Sequence, residues 1–132
     1  MAALDTNVLV RFLVEDDPGQ LVAARKLIRR CVNAGEALYV PVSVMLELEW
    51  VLRSNFGFGK DVVVRTLGQL LSATELVFES EAAVEVALAH YDAGTADYSD
   101  CLHVALAGQA GEQPLWTFDK AAARVVGARL LK

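Results

Sequence analysis

Two acidic residues, Asp5 and Asp119, stand directly after short apolar runs that have the composition of buried strands. In a parallel sheet, residues that follow strands lie at the carboxyl edge, where α/β folds bind their ligands. Asp5 is also a good cap for a helix that follows, so capping remains an open alternative for that residue. Their shared position makes both carboxylates candidates for one functional site.

Two further acidic residues, Glu47 and Asp100, interrupt apolar helical stretches. Glu47 has no cation four residues away on either side, whereas Glu49 has Arg53 four residues later and is interpreted as half of an exposed ion pair. An unpaired carboxylate on an apolar helix costs free energy unless a cation compensates its charge. A side chain that simply faces solvent is the open alternative for Glu47.

If these four carboxylates converge at one sheet edge, mutual repulsion raises their pKa values. A divalent cation that prefers oxygen ligands removes the conflict, and Mg²⁺ or Mn²⁺ takes a few carboxylates, keeps water and accepts phosphate oxygens. Zinc is not favoured, because the 2 Cys and 2 His residues lack ligand spacing. One or two such ions would support attack of water on a phosphodiester.

Two neighbours of Asp100 carry weaker signals. Asp97 opens the same predicted helix and is interpreted as its cap, with a further part in the site left open. His103 follows Asp100 by three residues, within reach of its carboxylate. It is left out of the predicted site, because a helical His is more often a satisfied or half-exposed residue than a ligand.

The elements that must position these residues alternate along the chain. Predicted strands cover residues 2–4, 37–40, 76–78, 114–118 and 128–131. Predicted helices begin near residue 7, at Pro18 after the cap Asp17, at Val44 after the cap Ser43, and near residues 60, 80, 97 and 120. Short apolar strands separated by helices indicate a parallel sheet covered on both faces. The 132 residues therefore predict a single α/β domain.

In this order and spacing, the motifs resemble those of PIN-domain ribonucleases, and among them the VapC-type toxins of type II toxin–antitoxin pairs. The motifs are Asp5-Thr6-Asn7 after the first strand, Glu47 in an apolar helix, Asp100 opening a later helix, and Thr117-Phe118-Asp119 after a late strand. The stretches that look closest to that toxin subgroup are residues 46–52 and 96–102. The resemblance covers essentially the whole chain.

The resemblance implies a three-layer α/β/α sandwich around a central parallel sheet, and a Mg²⁺- or Mn²⁺-dependent endoribonuclease. It implies that Asp5, Glu47 and Asp100 hold the metal, and that Asp119 is a fourth, more variable acid. Polar side chains that would orient a carboxylate or water are those of Thr6, Asn7 and Thr117. The resemblance also implies a homodimer and a small cognate antitoxin that lays a helix in a groove of the toxin.

The apolar helices around Trp50, Phe56 and Phe58 are candidates for that groove, and ordinary core or dimer packing is equally compatible with them. A haloacid-dehalogenase-like phosphatase also opens with an Asp after a strand, but it needs a second acid where this chain has Asn7. It also needs a lysine for which Lys120 is a poor substitute. A non-catalytic binding module of the same fold is the third hypothesis.

Composition narrows the function classes. With 12 Lys and Arg against 17 Asp and Glu, the net charge of -5 excludes a general cation-coated nucleic-acid binder, but not a nuclease whose positive charge arrives as metal. A basic helix face with Arg25 and Arg29, and Arg11 nearby, is the candidate RNA contact. Two cysteines, no long apolar run and no basic leader predict a reduced, cytoplasmic protein without membrane contact.

Overall fold

The computed structural model describes residues 2–132 and contains five short strands and six α-helices. Met1 lies outside the described residues, so the predicted domain of residues 1–132 is described from residue 2 onward. A 3-10 turn at Ala122–Arg124 lies between the last two strands. In chain order the elements are β1 (Ala2–Ala3), α1 (Thr6–Val14), α2 (Pro18–Asn33), β2 (Leu38–Val40), α3 (Val42–Ser54), α4 (Lys60–Leu71), β3 (Leu76–Phe78), α5 (Glu81–Ala93), α6 (Tyr98–Gln109), β4 (Leu115–Thr117) and β5 (Ala128–Leu130).

All strand pairs in the described residues are parallel, which confirms the predicted α/β class. Three strands form one sheet in the order β1-β2-β3, and β4 pairs with β5 in a separate two-stranded sheet. The register aligns Leu38 with Leu76 and Val40 with Phe78. Parallel pairing requires a crossover between successive strands. α-Helices supply it between β1, β2 and β3, and the segment with the 3-10 turn supplies it between β4 and β5. The result is a set of helices around parallel strands, as in an α/β/α sandwich.

The core is built from alternate strand residues and one stripe of each helix. Leu38 and Val40 are fully buried, while Val77 on the neighbouring strand is 43% exposed because a strand turns successive side chains to opposite faces. On α3 the buried positions include Met45, Leu48 and Leu52, spaced three and four residues apart. These packed rows hold the strand ends and helix starts that carry the polar residues.

Helix starts follow the sequence in one case and depart from it in another. The Asp17 carboxylate accepts a hydrogen bond of 3.1 Å from the Gln20 N–H, and Pro18 begins α2 as predicted. The prediction that Ser43 caps α3 is wrong, because the helix begins at Val42, whose N–H donates to Glu79 Oε1 at 2.8 Å. A carboxylate from beyond β3 thus satisfies the helix end that a local cap was expected to satisfy.

The helix predicted from about residue 120 to residue 126 is also wrong. Only Ala122–Arg124 is helical there, as a single 3-10 turn. The segment returns to extended backbone at Val125 so that β5 can pair with β4. No helix in residues 2–132 is long and apolar enough to cross a membrane.

Candidate metal centre

Asp5 lies two residues after the end of β1 and caps α1, so it follows the first strand as predicted and the capping alternative is also correct. Its Oδ1 accepts a hydrogen bond of 3.1 Å from the Val8 N–H. The side chain is exposed, and Oδ2 makes no hydrogen bond to any residue from 2 to 132. The cap therefore fixes the orientation of the carboxylate and leaves one oxygen directed to solvent.

Glu47 is tied to the first motif by a hydroxyl. Thr6 is 5% exposed, and its Oγ1–H donates a short hydrogen bond to Glu47 Oε1. The Glu47 side chain itself is exposed, so the alternative of a solvent-facing carboxylate is correct and the expected cost of burying it in an apolar helix does not arise. Thr6 has Asp5 beside it in sequence and Glu47 beside it in space. The hydrogen bond therefore brings together the two segments that carry these carboxylates.

The buried carboxylate of α3 is that of Glu49, which corrects the interpretation of its ion pair as exposed. Glu49 is 4% exposed, and its Oε2 accepts hydrogen bonds from Arg53 Nε at 2.9 Å and from the Tyr91 hydroxyl at 3.0 Å. Burial, with the Glu49 charge second, raises the pKa of Tyr91 to about 12. The sequence signal for this was the position of Glu49 on the stripe of Met45, Leu48 and Leu52.

Asp100 lies in the first turn of α6 among other acids. Burial raises the pKa of its carboxyl, and the nearby charges of Asp119 and Asp97 raise it further. The charge of His103 opposes the shift. Asp97 and Asp119 are therefore within electrostatic range of Asp100. Convergence of all four predicted acids, with Asp5 and Glu47 included, at one sheet edge stays a prediction.

The two acids beside Asp100 are held differently. Asp97 occupies the cap position of α6, but its side chain accepts no hydrogen bond from the helix, so the predicted cap bond is not formed. Asp119 Oδ1 accepts from the Ala122 N–H at 2.9 Å, and Thr117 Oγ1 accepts from the Asp119 N–H at 3.0 Å. Thr117 therefore orients Asp119 through its backbone.

Two open grooves reach the acidic residues. One, of about 340 Å³, is lined by Glu47 together with Ser99, the residue before Asp100. The other, also about 340 Å³, lies between α1 and α2 and is lined by Asp5 and Asn7. Asn7 is exposed and makes no hydrogen bond to the four acids. Glu47 and Asp5 therefore each line a groove that is open to solvent.

The candidate donors are of the chemical type that a hard divalent cation prefers, but they are not arranged closely enough to form its coordination shell. Across residues 2–132, no three His, Cys, Asp or Glu side chains lie close enough together to hold a metal ion as they stand. The acids form two groups. One is the pair Asp5 and Glu47, linked through Thr6, and the other consists of Asp97, Asp100 and Asp119. All the donors are carboxylate or hydroxyl oxygens, the ligands that Mg²⁺ and Mn²⁺ prefer. The donor set therefore fits such an ion.

The family follows from a comparison with models of known domains. The model described as the PIN domain matches residues 2–128. This chain belongs to the PIN domain family. PIN domains are usually divalent-metal-dependent nucleases that act on RNA, so the family supports a hydrolase acting on nucleic acid. No curated protein sequence matches the chain.

The arginines predicted to contact RNA in this PIN domain are largely neutralised. Arg11 Nη1 binds both carboxylate oxygens of Asp16, at 2.7 and 2.9 Å. Arg25 lies 3.3 Å from Glu15. Arg29 is exposed and forms no ion pair within residues 2–132. Of the three, only Arg29 therefore keeps an uncompensated positive charge.

Proposed function

We propose that this PIN domain is a Mg²⁺- or Mn²⁺-dependent endoribonuclease that uses one or two ions. In this proposal Asp5, Glu47 and Asp100 hold the metal, and Asp119 is the fourth acid. The observation that carries the proposal is the group of acids at Asp100, whose carboxyl has a pKa raised first by burial and then by the charges of Asp119 and Asp97. Such crowding is typical of sites where a cation or a catalytic step repays its cost.

Each protein group has a distinct part in the proposed reaction. The Val8 N–H fixes Asp5, and the Thr6 hydroxyl holds Glu47, so both carboxylates present a free oxygen toward solvent. Asp100 supplies a carboxylate in a less hydrated position, where interaction with a cation is stronger. A bound divalent ion supplies the positive charge that activates water and offsets the charge of the phosphate. Asn7 and Thr117 are supporting polar groups, with Thr117 acting on the turn that carries Asp119.

We propose further that the chain is a VapC-type toxin that acts as a homodimer and is inhibited by a small antitoxin. The resemblance of residues 46–52 and 96–102 to that subgroup supports this proposal. Trp50 is 53% exposed and lines the groove beside Glu47, so it is available to a partner helix. Phe56 and Phe58 are partly buried against the core, which assigns them to packing.

The proposal retains the predictions of a single domain and of a cytoplasmic location. One hydrophobic core cluster includes residues from Leu4 to Val125, which supports a single domain for residues 1–132. The cytoplasmic location stays a prediction from the sequence. Membership of the PIN family disfavours the phosphatase alternative. A non-catalytic PIN module differs from the proposal only in that it would bind no metal and cleave no RNA.

The experiment is cleavage of a structured RNA by the purified chain with Mg²⁺ or Mn²⁺, and with a chelator. The expected result is cleavage that needs the ion and is lost in Asp5→Asn and Asp100→Asn while the circular dichroism spectrum is unchanged. Glu112→Gln, a change at an exposed turn residue, is the control and keeps full activity. Cleavage that continues in chelator, or full activity of Asp100→Asn, contradicts the proposal. Co-purification with the product of a neighbouring short reading frame tests the antitoxin part.

A further inference from the structure

The outer face of the β4–β5 pair carries exposed aromatic side chains and a cation. Trp116 is 54% exposed and lies in register with Arg129 on β5, whose guanidinium carbon is 5.6 Å from the indole centroid. Phe118 follows β4 and is 78% exposed, and Leu131 after β5 is 43% exposed. We refer to Trp116, Phe118, Arg129 and Leu131 as the Trp116 surface. Large aromatic groups in water at adjacent positions indicate a binding surface.

Residues 116–132 form a basic segment in an acidic protein. They contain Asp119 as their one acidic residue, whereas the whole chain has a net charge of -5. All the basic side chains of this segment are exposed, and none forms an ion pair within residues 2–132. They are Lys120, Arg124, Arg129 and Lys132. The segment thus offers uncompensated positive charge beside exposed aromatic rings.

The Trp116 surface adjoins the candidate metal centre. Phe118 directly precedes Asp119, the fourth acid of the proposed metal centre. Because Phe118 and Asp119 are adjacent in sequence, an RNA strand at Asp119 can also contact Phe118. Aromatic rings stack on any base, and neighbouring Arg side chains add cation–π and phosphate contacts.

We propose that the Trp116 surface binds a single-stranded segment of RNA, with bases stacked on Trp116 and Phe118 and a phosphate near Arg129. The inference rests on the proposed function, because it takes RNA to be the substrate. It adds β4 and β5 to the candidate RNA contact on α2, where Arg25 is paired with Glu15 and Arg29 forms no ion pair within residues 2–132. Single-stranded segments fit this surface better than duplex, because only unstacked bases expose their faces to aromatic side chains.

The other exposed tryptophan provides a matched comparison. Trp50 is 53% exposed, almost the same as Trp116, but the acidic residues Glu47 and Glu49 line its groove. The one cation there, Arg53, donates its Nε–H to Glu49. Negative charge around Trp50 repels phosphate. The two tryptophans therefore have nearly equal exposure but differ in the charge that surrounds them.

The test uses two single-tryptophan variants, Trp50→Phe and Trp116→Phe, titrated with a single-stranded RNA hexamer in chelator so that no cleavage occurs. We expect the hexamer to quench the fluorescence of Trp50→Phe, which retains Trp116, and to leave that of Trp116→Phe unchanged. With a labelled hexamer, Trp116→Ala and Arg129→Ala should each weaken binding at least about fivefold, while Trp50→Ala binds like the unmodified chain.

Quenching of Trp50 alone, or equal hexamer affinity for Trp116→Ala and the unmodified chain, overturns the inference. A dimer in sedimentation that dissociates in Trp116→Ala, with unchanged hexamer affinity, also overturns it and assigns the surface to a second copy. Cleavage with Mn²⁺, measured separately, distinguishes the two proposals. Cleavage without hexamer binding at Trp116 refutes only this inference, and binding without cleavage refutes the proposed function.

Discussion

The hydroxyl of Thr6, at the start of α1, donates a hydrogen bond to the carboxylate of Glu47 on α3. The two residues are 41 positions apart in sequence, and Thr6 is buried while Glu47 is exposed. The bond links the segment after β1, which carries Asp5, to the helix that carries the second proposed metal ligand. Groups that orient a ligand in this way affect metal affinity without contacting the metal.

Removal of the Thr6 hydroxyl should weaken the proposed centre. Thr6→Val keeps the shape of the side chain but leaves Glu47 without its donor, and we expect metal affinity and cleavage to fall about 10- to 100-fold. Thr6→Ser keeps the donor and should retain most of the activity. Thr66→Val, which removes a hydroxyl bonded to the Val62 carbonyl on α4, is the control. Equal activity of Thr6→Val and Thr66→Val contradicts the proposed role.

Glu47 and Glu49 should separate function from stability. Glu49→Gln replaces a buried carboxylate, which accepts hydrogen bonds from Arg53 and Tyr91, by a neutral amide. We expect the free energy of unfolding to fall by about 1–3 kcal/mol. Glu47→Gln changes an exposed side chain, so stability should change by less than about 0.5 kcal/mol while cleavage is lost. Denaturant unfolding and RNA cleavage measure the two effects.

The two glutamates are each other's control, because they lie on the same helix and undergo the same chemical change. A large loss of stability in Glu47→Gln, with unchanged unfolding of Glu49→Gln, contradicts the assignment of Glu49 as the structural carboxylate. Loss of cleavage in a fully folded Glu49→Gln moves the proposed site to the other face of α3.

The raised pKa of Asp100 predicts that its charge destabilises the metal-free protein. A carboxyl with a higher pKa in the folded state holds its proton more tightly there, so stability falls as pH rises from its ordinary pKa of 3.8 to the raised value. At pH 7 in chelator, Asp100→Asn should therefore melt a few degrees above the unmodified chain, and this difference should shrink toward pH 4. Thermal unfolding at both pH values measures it.

Saturating Mn²⁺ should reverse the order of stability. An ion at 100 times its dissociation constant stabilises the folded state by about 2.7 kcal/mol, and Asp100→Asn should lose most of this gain. Glu112→Gln, at an exposed turn, is the control for removal of one negative charge. A metal-free Asp100→Asn that melts below the unmodified chain at pH 7 contradicts the account of crowded carboxylates.

Asp119 should show two separable effects. Its Oδ1 accepts a hydrogen bond from the Ala122 N–H, a bond that an Asn side chain can also accept. Asp119→Asn should therefore lower cleavage without loss of stability, whereas Asp119→Ala should also lose about 0.5–2 kcal/mol of stability. Unfolding of the two variants measures the hydrogen bond to Ala122, and cleavage measures the charge. Equal stability of the two variants contradicts a stabilising role for this hydrogen bond.

Local sequence signals predicted the elements that depend on neighbours along the chain. Asp17 and Pro18 locate the start of α2, and alternating short strands and helices predict the parallel sheet. The placement of Asp5 and Asp119 after strands likewise followed from local pattern and the rule for sheet edges. These features depend on contacts within a few residues or on general topology.

Long-range partners account for what the sequence did not predict. The buried Glu49 accepts a hydrogen bond from Tyr91, 42 positions away, and the N–H of Val42 at the start of α3 donates to Glu79, 37 positions away. Neither pair has a spacing that helix periodicity reveals. The neutralisation of Arg25 by Glu15 similarly depends on how α1 and α2 pack. Only the tertiary structure identifies which charged side chains already form ion pairs.

The most direct measurement of the central claim is a calorimetric titration of Mn²⁺ into the chain and its variants. The account predicts saturable binding that weakens at least about tenfold in each of Asp5→Asn, Glu47→Gln and Asp100→Asn, because each removes a charged oxygen ligand. Glu49→Gln, which alters a carboxylate bound to Arg53 and Tyr91, should bind Mn²⁺ like the unmodified chain. No binding at millimolar Mn²⁺, or equal binding by all four variants, would contradict the claim that these carboxylates form a metal centre.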